Sequence, residues 1–153
     1  MPKVSRSRLI AADRERVWEL VSDPHNLPRW WPRATRVEDV HQGPEGHPAW
    51  TAVLGTERGS GVRADYRCTD AIPGERYAWK QELAGTPFER VLRSSALEVS
   101  LDGEGESTRV TLRSDESLRG LSRLGTPMMR GAARRRLDEA LNGVELALVG
   151  HSP

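Results

Sequence analysis

Four polar side chains could orient a small molecule, and they stand in segments that are otherwise apolar: Tyr66, Tyr77, Gln81 and Arg93. The first two offer hydroxyls, the third an amide and the fourth a guanidinium. A few polar groups on the wall of an apolar pocket fix the orientation of what binds there. The sequence sets no two of these groups at a defined geometry, so it predicts ligand orientation more strongly than catalysis.

Other residue types that carry chemistry are scattered. His41 and His47 flank a Gly-Pro-Glu-Gly turn without a third ligand, a pattern typical of surface histidines rather than of a metal site. Cys68 stands at an inward position of a predicted strand, where a thiol is usually inert. No glycine motif of the phosphate-binding types occurs. We therefore expect no metal and no cofactor.

Charge and hydropathy exclude several kinds of partner. A formal net charge of +1 on 153 residues gives no field that would demand nucleic acid or an anionic membrane. The run Arg134–Arg136 lies beside Asp138 and Glu139, which indicates a solvated helix face. No apolar run approaches about 18 residues, and the N-terminal residues lack the core of a signal peptide. We expect no nucleic-acid partner, no stable membrane insertion, a cytoplasmic location, and a monomer or homodimer.

The N-terminal stretch Asp13–Pro32 carries three of the five tryptophans. Apolar residues recur there at helical spacing behind Asp13, a good N-cap: Val17, Leu20 and Val21. An Asp-Pro pair then restarts a second short helix that bears Trp30 and Trp31. So much apolar surface predicts that these helices close over a core or a cavity.

The middle of the chain has a period of two. From Thr35 to Asp115 the alternation and its turns predict six strands in an antiparallel meander with one wet face. Phe88–Leu101 indicates one long strand whose apolar parity slips near Ser94 and Ser95, which predicts a bulge. That bulge decides whether Arg93 and Ser95 face inward. The last strand is expected over Ser107–Ser114.

The C-terminal third has a helical pattern. Ser117–Leu124 predicts a short helical segment broken by glycines, and Pro127 then opens a long helix with Thr126 as its cap. Length and the lack of a linker predict one domain over residues 1–150 and a frayed tail over residues 151–153.

This order of elements resembles the START-like, Bet v 1-like (SRPBCC) superfamily, and within it the bacterial polyketide cyclase/dehydrase and lipid-transport group. The resemblance rests on the segments VSRSRLI, ADRERVWELVSD, PHNLPRWWPRATRVE, AIPGERYAW and RRRLDEALNGVE. It implies an α+β helix-grip fold: a seven-stranded curved antiparallel sheet wrapped around a long C-terminal helix, with two short helices after strand 1.

The resemblance also implies an internal cavity between the sheet and the C-terminal helix. Candidate ligand-binding residues from the strands are Trp50, Ala52, Leu54, Val62, Ala64, Tyr66, Tyr77, Trp79, Gln81 and Leu92, and the opposite wall could comprise Trp31, Met128, Met129 and Leu137. Aromatase and cyclase relatives are expected to hold polyketide carbonyls and stabilise an enolate with groups such as Tyr or Arg. Tyr66, Tyr77, Gln81 and Arg93 are therefore the catalytic candidates.

Three functions stay open at this point. The first is binding or transport of a small hydrophobic ligand, such as a lipid, an isoprenoid or a polyketide. The second is a polyketide aromatase/cyclase or dehydratase. The third is a protein-interaction module without a ligand. A cavity of several hundred cubic ångströms with convergent polar side chains would favour the enzyme, a dry cavity the carrier, and a filled interior the interaction module.

Overall fold

The computed structural model describes residues 3–55, 59, 61–120 and 125–150. The strands are β1 (Lys3–Ile10), β2 (Ala34–Gln42), β3 (Pro48–Gly55), β4 (Gly61–Ile72), β5 (Arg76–Glu82), β6 (Leu92–Glu104) and β7 (Ser107–Leu118). The α-helices are α1 (Arg14–Val21), α2 (Leu27–Trp30) and α3 (Thr126–Val149), and short 3₁₀ turns cover Pro24–Asn26, Pro44–Gly46 and Pro87–Arg90.

Helix α1 begins where the sequence predicts, whereas the second predicted helix is divided: a 3₁₀ turn begins at Pro24, and α2 begins at Leu27 and ends at Trp30, so that Trp31 lies outside it. The Asp13 side chain accepts a hydrogen bond from the Arg16 backbone N–H at 2.9 Å, which caps α1. Asp23 caps the following 3₁₀ turn in the same way, accepting from the His25 N–H at 3.0 Å. The apolar face of α1 is buried, and it consists of Val17, Leu20 and Val21.

All seven strands form one antiparallel sheet in the order β1-β7-β6-β5-β4-β3-β2. Consecutive strands from β2 to β7 are neighbours, and β1 joins the far edge beside β7. Helix α3 packs one face against this sheet through buried apolar residues, namely Ala133, Leu137, Ala140, Leu141 and Val144. The predicted helix-grip architecture is confirmed.

The start of β6 and the position of its bulge differ from the sequence prediction. Residues 88–90, which the sequence predicts to open the strand, instead complete a 3₁₀ turn that begins at Pro87, because proline favours the first turn of a helix. The strand begins at Leu92, and its register against β7 shifts between Leu92 and Ser94. The bulge therefore centres on Arg93, just before the predicted position.

Strand β7 is longer than predicted. It continues past Ser114 to Leu118, pairing with the first residues of β6. Ser117 and Leu118 are thus extended rather than helical, because the early part of β6 offers them hydrogen-bonding partners that the local sequence does not reveal. The remainder of that predicted helical segment includes residues 121–124, which lie outside the described residues, as does the tail 151–153.

Helix α3 begins at Thr126, with Gly125 rather than Thr126 at the cap position and Pro127 in its first turn. Polar side chains tie its outer edge to β1. The Arg6 guanidinium donates two hydrogen bonds to the Asp138 carboxylate, both at 3.0 Å. This bidentate pair connects α3 to the edge strand β1 at an exposed position.

Candidate functional site

A cavity of about 440 Å³ lies between α3, the sheet and the turn after α2, and this volume is in the range of small-molecule sites. Its wall comprises Trp31, Pro32, Arg33, Leu54, Tyr66, Trp79, Gln81, Phe88, Leu92, Ser95, Ala96, Leu97, Ser114, Glu116, Ala132, Arg135, Arg136 and Glu139. The interior is therefore not filled by its own side chains.

An aromatic cluster forms one end of the cavity. Trp79 lies at its centre, with ring centroids 5.6 to 6.3 Å from those of Trp30, Trp31, Trp50, Tyr66 and Tyr77. These separations suit edge-to-face contacts, which hold large rings in fixed orientations. Trp79 is 3% exposed, whereas Trp31 is only half-buried at the cavity wall. The cluster gives the cavity a rigid apolar end.

Tyr66 and Gln81 face the cavity side by side. They are direct partners in the ladder between β4 and β5, so their side chains leave the same face of the sheet as close neighbours. The Gln81 Nε2 atom is buried and donates to no residue that the structure describes. A buried N–H donor without an acceptor is costly, and a ligand oxygen would satisfy it.

A second cluster of polar side chains reaches the cavity from β6, β7 and α3. Glu116, which is 8% exposed, accepts from the Ser95 hydroxyl at 3.2 Å through Oε2. Its other oxygen, Oε1, lies 3.5 Å from Nη2 of Arg136. All three side chains line the cavity. A carboxylate, a hydroxyl and a guanidinium therefore lie together on the cavity wall.

Tyr66 lies close enough to Glu116 and Arg136 for their charges to influence its pKa. Burial raises the pKa of Tyr66 to about 12, while nearby Arg136 lowers it and Glu116 raises it by smaller amounts. The phenol consequently stays protonated near neutral pH and is a hydrogen-bond donor. Burial also raises the pKa of Tyr77, with a further contribution from Cys68. Tyr77 packs edge-on against Trp18 at 6.0 Å, within the core.

The residues proposed from sequence divide into three groups. The cavity wall includes Trp31, Leu54, Tyr66, Trp79, Gln81 and Leu92. The core holds Trp50, Ala52, Ala64, Tyr77 and Leu137, each buried and outside the cavity lining. The remaining four, Val62, Arg93, Met128 and Met129, lie elsewhere.

Those four residues are placed away from the cavity for local reasons. Val62 is 37% exposed near the start of β4, where it pairs with Leu54 at the end of β3. Arg93 sits in the β6 bulge and is exposed, so the bulge turns Leu92 and Ser95 toward the cavity instead. Met128 is 81% exposed and Met129 half-buried in the first turn of α3, and neither lines the cavity.

Glu116 and Arg136 line the cavity, although the sequence pattern did not predict either of them there. Glu116 continues the inward parity of Val110 and Leu112, so extending the alternation beyond Ser114 would have placed it inside. The run Arg134–Arg136 predicts a solvated helix face, but Arg136 lines the cavity. It lies three positions after Ala133 and four before Ala140, both of which are buried, and this helical spacing was the available signal.

The described residues show no cluster of three or more His, Cys, Asp or Glu side chains suited to a metal ion. His41 and His47 do not come together with a third ligand there. Among these residues there is also no helix long and apolar enough to cross a membrane. Cys68 is buried, and its thiol donates to the Asp70 backbone carbonyl at 3.5 Å.

The sequence matches one protein family over nearly its whole length. The family described as polyketide cyclase / dehydrase and lipid transport matches residues 1–148. The chain belongs to this family. No curated protein matches the chain.

Solved structures with the fold of this polyketide cyclase / dehydrase and lipid transport family match almost the whole chain. A START superfamily protein from Mycobacterium smegmatis is 16% identical, with a TM-score of 0.77, and the match covers 95% of this chain and 96% of that one. The Zhui aromatase/cyclase from a Streptomyces species is 20% identical, with a TM-score of 0.74 and coverage of 94% and 90%. A protein from Thermus thermophilus is 20% identical, with a TM-score of 0.76 and coverage of 99% and 100%. At these identities the likeness concerns the fold.

Proposed function

We propose that this chain binds a small, largely apolar molecule in the cavity between the sheet and α3. The observation that carries the proposal is a 440 Å³ cavity with a rigid aromatic end and an unsatisfied buried donor, Gln81 Nε2, on its wall. Apolar and aromatic walls combined with oriented polar groups are the usual form of a small-molecule site, and here polar residues make up about half of the lining. Lipids, isoprenoids and polyketides all combine a largely apolar body with a few oxygen atoms that such a site could bind. The same space disfavours an interaction module without a ligand.

Tyr66 and Gln81 would fix the orientation of this molecule. Their neighbouring side chains present an O–H and an N–H to the same part of the cavity. Together they could donate to one carbonyl or hydroxyl oxygen of the ligand. The aromatic cluster around Trp79 would contact its apolar part.

Tryptophan fluorescence tests this proposal directly, because Trp31 and Trp79 line the cavity. We expect dodecanol, a neutral amphiphile of suitable size, to change the emission in a saturable way. Ala132→Phe places a ring in the cavity and should abolish the change, since Ala132 lines it. Leu146→Phe is the matched control: Leu146 is on the same helix, 46% exposed and outside the lining, and this variant should behave like the parent protein. Equal responses of both variants would refute binding in this cavity.

A second candidate is catalysis of the aromatase/cyclase or dehydratase type. It is favoured by one observation, the buried Glu116 carboxylate facing the same cavity as the Tyr66 and Gln81 donors. Glu116 would take a proton from the carbon next to a ligand carbonyl; the C–H electron pair would form the C=C bond of the enolate, and the carbonyl π pair would move to the oxygen. Tyr66 and Gln81 would then stabilise the enolate oxygen by donation.

Proton exchange separates the catalyst from the carrier. We expect a catalyst to exchange the α-hydrogens of a soluble aromatic β-diketone in D₂O, followed by NMR, faster than buffer does. Glu116→Gln should remove the acceleration, because an amide is not a base. Exchange at the buffer rate with the unaltered protein would argue against this second candidate and leave the binding function standing.

A further inference from the structure

The cavity wall carries more positively than negatively charged side chains. Three guanidiniums, of Arg33, Arg135 and Arg136, face two carboxylates, of Glu116 and Glu139. Arg136 and Glu116 lie 3.5 Å apart, so that pair is mutually neutralised inside the cavity. The remaining groups are two arginines against one glutamate. The field at their position therefore favours an anion.

Arg33, Arg135 and Glu139 lie at the rim rather than on the floor. All three are exposed, whereas the floor residues Trp79 and Leu97 are buried. Among the described residues neither of the two arginines forms an ion pair within 4.0 Å. Their guanidinium donors are thus directed to solvent at the opening of an apolar space.

Arg33 is held at this position by its backbone. It adopts a left-handed conformation, φ 67°, which is unfavourable for a side chain larger than that of glycine. Its carbonyl oxygen accepts from the Gly55 N–H at 2.7 Å, which fixes the turn between α2 and β2 against the end of β3. A strained, non-glycine residue at the rim is a feature that tends to occur at functional sites.

From these observations, and resting on the binding function proposed above, we infer that the ligand is an amphipathic anion whose carboxylate lies at the rim between Arg33 and Arg135. Its apolar body extends to the aromatic cluster around Trp79. The volume of 440 Å³ equals about fifteen water volumes, so the body has roughly ten to fifteen non-hydrogen atoms. Guanidinium groups match carboxylates because two parallel N–H donors meet two oxygens.

Three amphiphiles with the same tail test the inference by calorimetric titration: dodecanoic acid, dodecanol and dodecylamine. At low ionic strength and neutral pH we expect the acid to bind about tenfold more tightly than the alcohol, and the amine most weakly. The preference for the acid should shrink as salt is added, because the arginines are exposed and screening acts on them. The affinity for dodecanol should hardly change with salt.

Arg135→Gln and Arg33→Gln should each reduce the affinity for dodecanoic acid about fivefold and leave that for dodecanol unchanged. Arg134→Gln is the matched control, because it removes the same charge from the adjacent exposed position outside the cavity lining. It should change neither affinity by more than about twofold.

The outcomes distinguish this inference from the function on which it rests. Equal binding of acid and alcohol, insensitive to Arg135→Gln and to salt, would overturn the anionic ligand and leave cavity binding intact. An equal loss of acid binding in Arg134→Gln and Arg135→Gln would also overturn it, because a general surface field would then be responsible. Absence of binding by all three amphiphiles would overturn the inference together with the binding function.

Discussion

Gly143 of α3 lies in backbone contact with Trp30 of α2. A Cβ atom at Gly143 would lie 2.4 Å from the Trp30 carbonyl oxygen and 2.7 Å from its Cα. Non-bonded atoms do not approach each other this closely, so a side chain at this position would force the two helices apart. Because α2 leads directly into Trp31 and Arg33, this contact sets one wall of the cavity.

Gly143→Ala should destabilise the protein although alanine is the better helix former. The clash involves backbone atoms that cannot rotate away, and overpacking of this kind costs about 1–3 kcal/mol. The gain in helix propensity is only about 1 kcal/mol. We expect a lower free energy of unfolding in urea and a shifted tryptophan emission maximum.

Gly131→Ala is the matched control on the same helix. The nearest atom to its added Cβ is a guanidinium nitrogen of Arg135 at 3.7 Å, an ordinary contact. This variant should be as stable as the parent or more stable by up to about 1 kcal/mol. A similar change of stability in both variants would show that the contact with Trp30 is not the cause.

Glu116→Gln should reduce stability by about 1 kcal/mol, since the neutral amide can still accept from Ser95 but no longer attracts Arg136. Glu98→Gln provides a close control on the outer face. Glu98 also accepts from a serine, Ser100 at 3.1 Å, and pairs with an arginine, Arg113 at 3.2 Å. Its more exposed pair should matter less, by under about 0.5 kcal/mol. Equal losses in chemical denaturation would contradict the burial argument.

Alkaline pH should destabilise the fold through Tyr66. Its pKa is raised to about 12 in the folded protein and is close to 10 in the unfolded chain. Below pH 10 both states are protonated and the stability is fully present. Between pH 10 and 12 the folded state binds more protons, so the stability falls as the pH rises, by about 2–3 kcal/mol in total. Urea unfolding between pH 8 and 12 measures this loss of stability. In Tyr66→Phe the loss should be smaller, because the variant lacks the contribution of the Tyr66 phenol. An identical slope in Tyr66→Phe would contradict the assignment.

Cys68 should react slowly with thiol reagents in the folded protein. Burial raises the pKa of its thiol, with opposing contributions from Tyr77 and Asp70, and only the thiolate is the nucleophile. We expect a rate with a soluble aromatic disulfide at least tenfold lower than after unfolding, when the single thiol should titrate completely. Rapid reaction under native conditions would show that β4 is more accessible than its burial indicates.

The architecture was predictable from the sequence because the period-two pattern and the helix caps are local signals. Asp13 and Asp23 cap as expected, and the strands alternate around Tyr66 and Trp79. Such signals depend on residues a few positions apart. They suffice for the order of elements and for most of the buried face of the sheet.

The cavity wall was less predictable because it depends on long-range pairing. Arg93 is outward since β6 slips register against β7, and Glu116 is inward since β7 continues beside that slip. The parity slip near Ser94 and Ser95 predicts a bulge but not its exact position, and the alternation of β7 does not show that the strand continues past Ser114. Likewise, alternation distinguishes inward from outward residues but does not tell whether an inward residue, such as Ala64 or Leu92, meets the core or an open space.

Native mass spectrometry of the protein purified from the organism that makes it tests the central claim most directly. The account predicts a bound species of a few hundred daltons, recovered by organic extraction, in the unaltered protein and in Leu146→Phe but not in Ala132→Phe. A protein that carries no small molecule under gentle conditions, or one whose bound species survives Ala132→Phe unchanged, would contradict binding in the cavity between the sheet and α3.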